Sequence, residues 1–527
     1  MDASVPGSPP WWMNRLAQEL QVEQRRLRIL EDYYVGRPPL AWGSQDVRKQ
    51  FYKFQRVCRT NFAAVVVEAP CERLAIRSVT TAADNDADGD DVAWRMVKAN
   101  LLQVTFGTAA RMAKKFGKSY LATAYPDVPG GYSVITVEDP RQMITAADPI
   151  RPLTQRAAFK LYFDAEAELD VAVLWLPGQK WVATREHKSP PRPYRGGQIL
   201  GSTEPIRVRF TPGSFTMAPV RAPGDLADGW WSEEYDDQEI PVDPILNRDG
   251  IGEFELHTDL LDRINHMILM RVVIATIQAF KQRAIKQSAS PDVPQLPEFD
   301  KAGARIDYSD VLEAGPDQVW LLPPGAELWE SGEVNLAGIL QSAKDDILHL
   351  SAATKTPLSM FTPDAISQSA EGAALTREGL TFKVEDFQLS AGAALSRAIA
   401  RGFRYMEDTV RGDASGVSVE FMPADRRSLS EMGSAASQVS GTLTWEQTQS
   451  VVWQQTPAQI RIAKLQRVED AAVVAAAVQA ALPPPPPPAE LPIPPAAGIP
   501  DLTKTMMPDG KPSPAMMRGR RVPPAVA

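Results

Sequence analysis

The chain has 527 residues, of which 44% are hydrophobic, and it carries a formal net charge of −9 at pH 7. This length suffices for about three or four domains with sizeable cores. The acidic balance argues against a protein that grips nucleic acid over a wide basic surface, but it permits one that surrounds DNA without binding it tightly. With two cysteines and four histidines, the chain offers no disulfide framework and few groups for a metal or acid–base enzyme. No secretory signal or membrane-spanning stretch is recognisable, so we expect folding in a reducing cytosol.

The N-terminal third combines helical and strand patterns. An amphipathic helix is predicted from Trp11 to Val35 and ends at Gly36. A second helix is predicted from Asn61, with a break or kink at Pro70, and residues 91–116 favour one helix or a pair. After Gly117 the hydrophobic period changes to two, which is typical of antiparallel strands. The predicted strands cover 119–125, 132–138, 156–164, 169–176, 180–186 and 206–210.

The stretch from Phe254 to Lys286 contains neither Gly nor Pro and repeats apolar residues at three- and four-residue steps. This period predicts one helix about 50 Å long, a soluble strut between two regions. Asn265, His266, Arg271 and Gln278 interrupt the apolar pattern, and they would face a lumen if the helix formed part of a channel wall.

The remaining chain is dominated by helices. Residues 288–333 predict a small insert rich in Pro and Gly, followed by a helix over 335–351, a loop over 353–372 and a long helix over 373–405. Residues 416–422 predict a strand. The predicted elements that follow are two helices within 445–482, hinged at Pro457, and a tail over 482–527 in polyproline II or disordered form.

Three local motifs suggest chemistry, and each has a simpler interpretation. Residues 116–119 read Phe-Gly-Lys-Ser, but Met112 replaces the first glycine of a phosphate-binding loop and a helix precedes the motif. Asp84, Asp86 and Asp88 match the first half of a calcium loop, whose twelfth position holds Arg95 instead of glutamate, so a solvated acidic connector is favoured. His257 and His266 are nine residues apart, which does not suit a zinc site. No catalytic residue and no cofactor is expected.

Basic residues near the predicted loop 353–372 have two interpretations. Lys355, Arg377 and Lys383 are ordinarily a solvated charged face. Only an assembly that points this loop at DNA would give them a role in contacting it.

Several phrases, taken in order, resemble the portal proteins of tailed bacteriophages, specifically the SPP1-like group found in phages of actinobacteria. LRILEDYYVGRPPL is similar to the opening helix of that family and NFAAVVVEAPCERLAI to the segment after it. The approach to the first stem helix, the clip exit and the tunnel-loop region also have counterparts. These phrases occupy 27–40, 61–76, 240–285, 319–330 and 350–375.

The resemblance implies an α+β fold, mainly α, that assembles into a ring, usually of twelve copies, around a central channel. It also implies a division of the chain into named regions. These are a loose N-terminus (1–10), a wing (11–253), a first stem helix (254–286), a clip (287–334), a second stem helix (335–352), a tunnel loop (353–372), a long wing helix and strand (373–422), crown helices (423–481) and a Pro-rich tail (482–527).

The function implied by the resemblance is that of a portal, which is not an enzyme. The ring would occupy one capsid vertex of the virion, pass double-stranded DNA during packaging and ejection, and contact the terminase large subunit, the major capsid and scaffolding proteins and the head–tail adaptor, with no membrane partner. The tunnel-loop candidates for the channel are Lys355, Thr356, Ser359 and Gln368, and the stem-interface candidates are Leu260, Ile264, Ile268 and Ile274. The alternatives are another minor capsid or head-assembly scaffold protein, or a metal-dependent hydrolase that uses the acidic loop.

Overall fold

The computed structural model combines helices with antiparallel strands, so the expected α+β class is confirmed. The chain divides into two units, Met1–Ile462 and Ala463–Ala527. The structure describes residues 4–39, 57–84, 89–187, 208, 231–234, 238–279, 283–286, 297, 299–305, 327–330, 335–362, 370–425 and 429–481.

Nine α-helices longer than one turn are found in these described segments, and a further helical stretch runs from Trp445 to Val452, α-helical to Gln447 and π-helical from Thr448. The nine α-helices are α1 (Pro9–Tyr34), α2 (Phe62–Cys71), α3 (Asp91–Ala99), α4 (Leu102–Phe116), α5 (Thr258–Ala279), α6 (Ala337–Thr354), α7 (Ala370–Tyr405), α8 (Leu429–Gln438) and α9 (Pro457–Ala481). Sequence reasoning identified all of them except α8, and to within a few residues apart from the ends of α5. Pro70 lies in the last turn of α2, and Pro457 opens α9, where its missing N–H costs nothing.

The strands form four antiparallel sheets among the described residues. One sheet has the order β3-β2-β9, another has the order β4-β5-β6-β7-β8, and two are ribbons, β1-β12 and β10-β11. The strands are β1 (Ile76–Thr80), β2 (Lys118–Ala124), β3 (Val134–Glu138), β4 (Met143–Ala147), β5 (Gln155–Asp164), β6 (Leu169–Leu176), β7 (Gln179–Glu186), β8 (Trp231–Glu234), β9 (Val242–Leu246), β10 (Arg283–Lys286), β11 (Glu327–Glu330) and β12 (Ser418–Phe421).

The predicted strands between 119 and 186 are confirmed as β2, β3, β5, β6 and β7. Of the predicted strand 206–210, only Val208 is described, and it is buried. Sequence reasoning missed β1, which pairs with β12 more than 300 residues later in the chain. It also missed β4, β8, β9 and β11.

Helix α1 belongs to two hydrophobic cores. Its first half contributes Met13, Leu16 and Leu20 to a core against the five-stranded sheet. Its second half contributes Leu27 and Leu30 to the main core, which α2 to α7 also build. The Ser8 hydroxyl accepts a hydrogen bond from the N–H of Trp11 and caps the start of the helix.

The predicted helix from Phe254 to Lys286 is wrong at both ends. Glu255–His257 form a 3₁₀ turn before α5 begins at Thr258. Arg283–Lys286 form strand β10, which pairs with β11. The prediction failed here because these partners lie more than 40 residues further along the chain, and local periodicity carries no information about them. The helix therefore has 22 residues.

Candidate functional site

Helices α5 and α6 pack against each other and join the main core, to which α7 also belongs, so the two predicted stem helices have a common base. Leu261 and Ile264 of α5 join Ile347 and Leu350 of α6 in the main core. An ion pair reinforces the contact, because Arg263 on α5 lies 2.7 Å from the carboxylate of Asp346 on α6. The loop that follows α6 begins at this base.

The start of this loop is held by its own hydrogen bonds. Thr356 is fully buried, and its carbonyl accepts a hydrogen bond of 2.6 Å from the hydroxyl of Ser351. The hydroxyl of Thr354 donates a hydrogen bond of 3.0 Å to the hydroxyl of Thr356. Thr356 therefore fixes the turn. The prediction that Thr356 lines an open channel is wrong, because its side chain is buried within the chain.

Lys355 is the exposed residue at this turn, and its backbone is in the left-handed region with φ 52° and ψ 34°. A non-glycine residue pays a steric cost of about 1–2 kcal/mol there. Ser359 is also exposed, in the 3₁₀ turn Leu358–Met360. Both residues stay candidates for a contact surface, and Gln368 lies outside the described residues.

A buried cluster of two lysines and one glutamate lies beneath this loop. Nζ of Lys114 donates to the Oε1 of Glu253 at 2.8 Å and to Oδ1 of Asn247 at 3.0 Å. Nζ of Lys383 lies 2.6 Å from the other carboxylate oxygen of Glu253 and donates to the carbonyl of Thr354 at 2.8 Å. The cluster ties α4, the segment before α5, the end of α6 and α7 to one another.

Electrostatics explain why the cluster stays charged. Burial by itself raises the pKa of the Glu253 carboxyl, but the two ammonium groups outweigh it and the pKa is lowered. Burial lowers the pKa of Lys383, and the nearby ammonium of Lys114 lowers it further. The Glu253 carboxylate raises this pKa, but only enough to offset part of the decrease. Lys383 was predicted as one residue of a basic surface, and this is wrong because its ammonium is committed to Glu253.

A cavity of about 380 Å³ opens beside the cluster. Its wall contains Lys114, Glu253 and Lys383, and its rim includes the exposed residues Lys355 and Phe382. Movement of the Lys355 turn would therefore alter the surroundings of the ion cluster directly.

The stem-interface candidates divide into two kinds. Ile264 is fully buried within its own chain, so it offers no surface to a neighbouring copy and its prediction is wrong. Leu260 and Ile268 are half-buried and pack against the same core, and Ile274 is half-buried. Among the side chains that the structure describes on these helices, the large apolar ones that are exposed are Met270 of α5 and Leu340 and Leu348 of α6.

Two polar residues on α5, Asn265 and Asp262, bind within the chain. The Asn265 side-chain oxygen accepts hydrogen bonds from the N–H and the hydroxyl of Thr60, both at 2.8 Å. Asp262 accepts from the hydroxyl of Tyr33 at 2.8 Å. The sequence interpretation of Asn265 as a channel-facing residue is therefore wrong, because its side chain anchors α5 to the segment before α2.

The acidic loop gains no support as a calcium site from the described residues. Asp84 is described, whereas Asp86 and Asp88 lie outside the described segments. The next acid, Asp90, caps α3 and pairs with Arg411 at 2.6 Å. In the parts of the chain that the structure describes, no group of three or more His, Cys, Asp or Glu residues is placed to hold a metal ion.

Gly117 has a structural role that explains the Phe-Gly-Lys-Ser motif. The residue ends α4 in a left-handed conformation with φ 89°, and β2 begins directly after it. A Cβ at this position would overlap the carbonyl oxygen of Gly250. The expected helix-to-strand turn is confirmed, with the glycine serving close packing of two backbones.

Sequence reasoning missed Lys114 and Glu253. The available signal was periodicity, because Lys114 follows Ala110 by four residues and so lies on the apolar side of α4. A lysine on an apolar stripe needs a buried partner. The partner was not identifiable, because Glu253 follows 139 residues later.

Comparison with known proteins does not assign the chain to a family. No family model matches the chain, and no curated protein matches it. Among solved structures, it is similar to chains from the neck of a native gene transfer agent particle computed with C12 symmetry and of an empty one computed with C6 symmetry. Both have 12% identity and TM-scores of 0.38 over 79% of this chain and 95% of the other. A chain from the virion of the native particle gives 11% identity and a TM-score of 0.39 with the same coverage. Scores in this range do not establish a shared fold.

Among the described residues, no helix is long and apolar enough to cross a membrane.

Proposed function

We propose that this chain is the subunit of a portal, a ring at one capsid vertex of a phage-like virion through which double-stranded DNA enters and leaves. The observation that carries the proposal is the arrangement of α5 and α6. The two helices pack together at one end, and the segments next to them, β10 and β11, pair as an antiparallel ribbon. In a ring, the α5–α6 pairs would form the channel wall and the β10–β11 ribbons would form a tip to which other proteins dock.

The chemistry of the chain agrees with transport of DNA rather than tight binding. The formal net charge is −9, and the buried Lys383 is neutralised by Glu253. Tight contacts to many phosphates would resist sliding. Lys355, exposed on its turn, is the residue of this region that we propose faces the channel.

The proposed ring places exposed apolar residues of neighbouring stems against each other. Met270 on α5 and the pair Leu340 and Leu348 on α6 would supply this contact. Closed head-to-tail packing buries such residues on both sides of every subunit. The terminase large subunit, the capsid and scaffolding proteins and the head–tail adaptor are the partners that the proposal requires.

Electron microscopy of the purified full chain tests the proposal. Rings with a central opening wide enough for duplex DNA are expected. A homogeneous monomer at high concentration would contradict it. A different head-assembly scaffold protein would give closed shells or irregular assemblies, and a metal-dependent hydrolase would show turnover that a chelator abolishes.

A further inference from the structure

The cavity beside the buried cluster has a wall whose charges do not balance. Among its described lining residues, Glu253 is the one acid that is mostly buried, and the ammonium groups of Lys114 and Lys383 share it. The exposed rim adds two cations and two anions, which cancel: Arg248, Lys355, Asp249 and Asp386. Within this lining, the interior of the cavity therefore keeps one positive charge in excess.

The two buried ammonium groups retain hydrogen-bonding capacity. An ammonium group carries three N–H donors. Lys383 uses two of them, for Glu253 and the carbonyl of Thr354. Lys114 uses two for Glu253 and a side-chain amide, and its Nζ also lies 4.4 Å from the ring centre of Phe387. The third donor of Lys383 is therefore the one that we assign to the cavity.

Lys355 adds positive charge at the mouth of the cavity. A Cβ at Gly379 would stand 3.6 Å from the Cβ of Lys355, so the Lys355 side chain begins against α7. Gly379 and Lys383 are four residues apart on α7 and share a face of the helix. Burial lowers the pKa of Lys383, and the charges of Lys114 and Lys355 lower it further. The three lysines repel one another around one carboxylate, and a further anion would relieve that repulsion.

We propose that this cavity binds a small free oxyanion of the phosphate class at the ammonium of Lys383, with Lys355 at its mouth. An oxyanion supplies the missing negative charge and several acceptor oxygens for the ammonium donors. The cavity, of about 380 Å³, has room for such an ion. The site lies within one subunit, so its occupancy does not depend on ring formation.

The depth of the site favours a free ion over the phosphodiester groups of DNA, which have the same chemistry. The side chains of Lys114 and Lys383 are only 2% and 12% exposed. A stiff duplex cannot bring its backbone to side chains set so deeply. An ion bound there would instead hold the Lys355 turn against α7.

Isothermal titration calorimetry of inorganic phosphate into the full chain tests the site at neutral pH, with chloride adjusted to hold the ionic strength constant. Lys383→Met removes the excess charge and its donor, whereas Asp386→Asn removes an anion from the rim. Lys344→Met is the matched control, because Lys344 is an exposed lysine of α6 outside the cavity wall. Circular dichroism establishes whether each variant is folded.

Wild type and Lys344→Met should bind one phosphate per chain with the same Kd. Lys383→Met should raise the Kd by about tenfold or more, because a hydrogen bond between charged groups is lost. Asp386→Asn should lower it by up to about fivefold, because repulsion at the rim is relieved. A gain in affinity cannot result from partial unfolding, so this variant decides the matter if Lys383→Met folds poorly. Failure of wild type to bind phosphate, or one Kd for all four proteins, would overturn the proposal.

A short duplex oligonucleotide distinguishes the two sources of the oxyanion. The duplex should not compete with phosphate, and any affinity that it has for the chain should be the same for wild type and Lys383→Met. Competition with phosphate, or loss of duplex binding in Lys383→Met, would overturn the assignment of the cavity to a small free ion.

Discussion

Glu253 and Lys383 form an ion pair of 2.6 Å in which both side chains are about nine-tenths buried. The pair lies where the segment before α5 meets α7, and Lys383 also binds the last turn of α6 through the carbonyl of Thr354. Because Lys114 pairs with the other carboxylate oxygen, one glutamate serves two lysines and the cluster keeps an excess of one positive charge. The base of the proposed stem is therefore fastened by charge as well as by apolar packing.

Glu253→Gln should be strongly destabilising. The substitution leaves two buried ammonium groups without a countercharge, and breaking a buried ion pair from one side costs about 3–5 kcal/mol. Lys383→Met should cost less, about 1–2 kcal/mol, because Glu253 stays paired with Lys114, while the Thr354 carbonyl and one Glu253 oxygen each lose a donor. Urea unfolding followed by fluorescence measures both losses.

Glu19→Gln is the control for that comparison. Glu19 pairs with Arg15 on the exposed side of α1, so its replacement should cost less than about 1 kcal/mol. An equal loss from Glu19→Gln and Glu253→Gln would contradict the proposed role of the buried cluster.

The same carboxylate predicts a pH dependence. The pKa of Glu253 is lowered from 4.5 in the folded state. Its stabilising contribution is therefore fully present above 4.5 and is lost as the pH falls from 4.5 through the folded-state pKa. The difference in unfolding free energy between wild type and Glu253→Gln should shrink over that acidic range and stay constant between 4.5 and neutral pH. A difference that grows on acidification would show that Glu253 is not held as the carboxylate.

The Lys355 turn should gain stability when the strain is removed. Lys355→Gly and Lys355→Ala both delete the charge, but only glycine adopts the left-handed conformation freely, so the glycine variant should be more stable by about 1 kcal/mol. Chemical unfolding of the two variants side by side measures this difference. Equal stabilities would mean that the turn relaxes in solution to a conformation open to any residue.

Leu348→Asp should abolish ring formation without unfolding the chain. Leu348 is 50% exposed on α6, and an exposed substitution changes stability by about 0.5 kcal/mol or less. Ile268→Asp is the contrasting variant, because Ile268 packs on the main core and the new charge lowers stability itself. Circular dichroism and sedimentation separate the two effects, and rings from a well-folded Leu348→Asp variant would remove Leu348 from the interface.

Local patterns predicted most helices and half of the described strands, but not the contacts among them. The period of 3.6 located α5, since its apolar face packs on neighbouring helices, and the period of two located β5 to β7. Arg283–Lys286 was misassigned because its structure depends on pairing with the distant β11. The strand is fixed by that partner and not by its own four residues.

The candidate site was predicted only in part for the same reason. Lys355 was identified with the right exposure, whereas Thr356 and Ile264 were placed on surfaces although the fold buries both. Lys114, Glu253 and Lys383 come together from three separate parts of the chain. A charge cluster of this kind has no local spacing from which it can be recognised.

Imaging of the full chain beside a variant that ends at residue 482 tests the proposed ring most directly. The deleted segment lies outside the described residues and contains six consecutive prolines at 483–488, a composition from which we predict that rings form without it. We expect both proteins to form closed rings of about twelve copies with a central channel. Monomers from both proteins, under conditions where each is folded, would contradict the portal function.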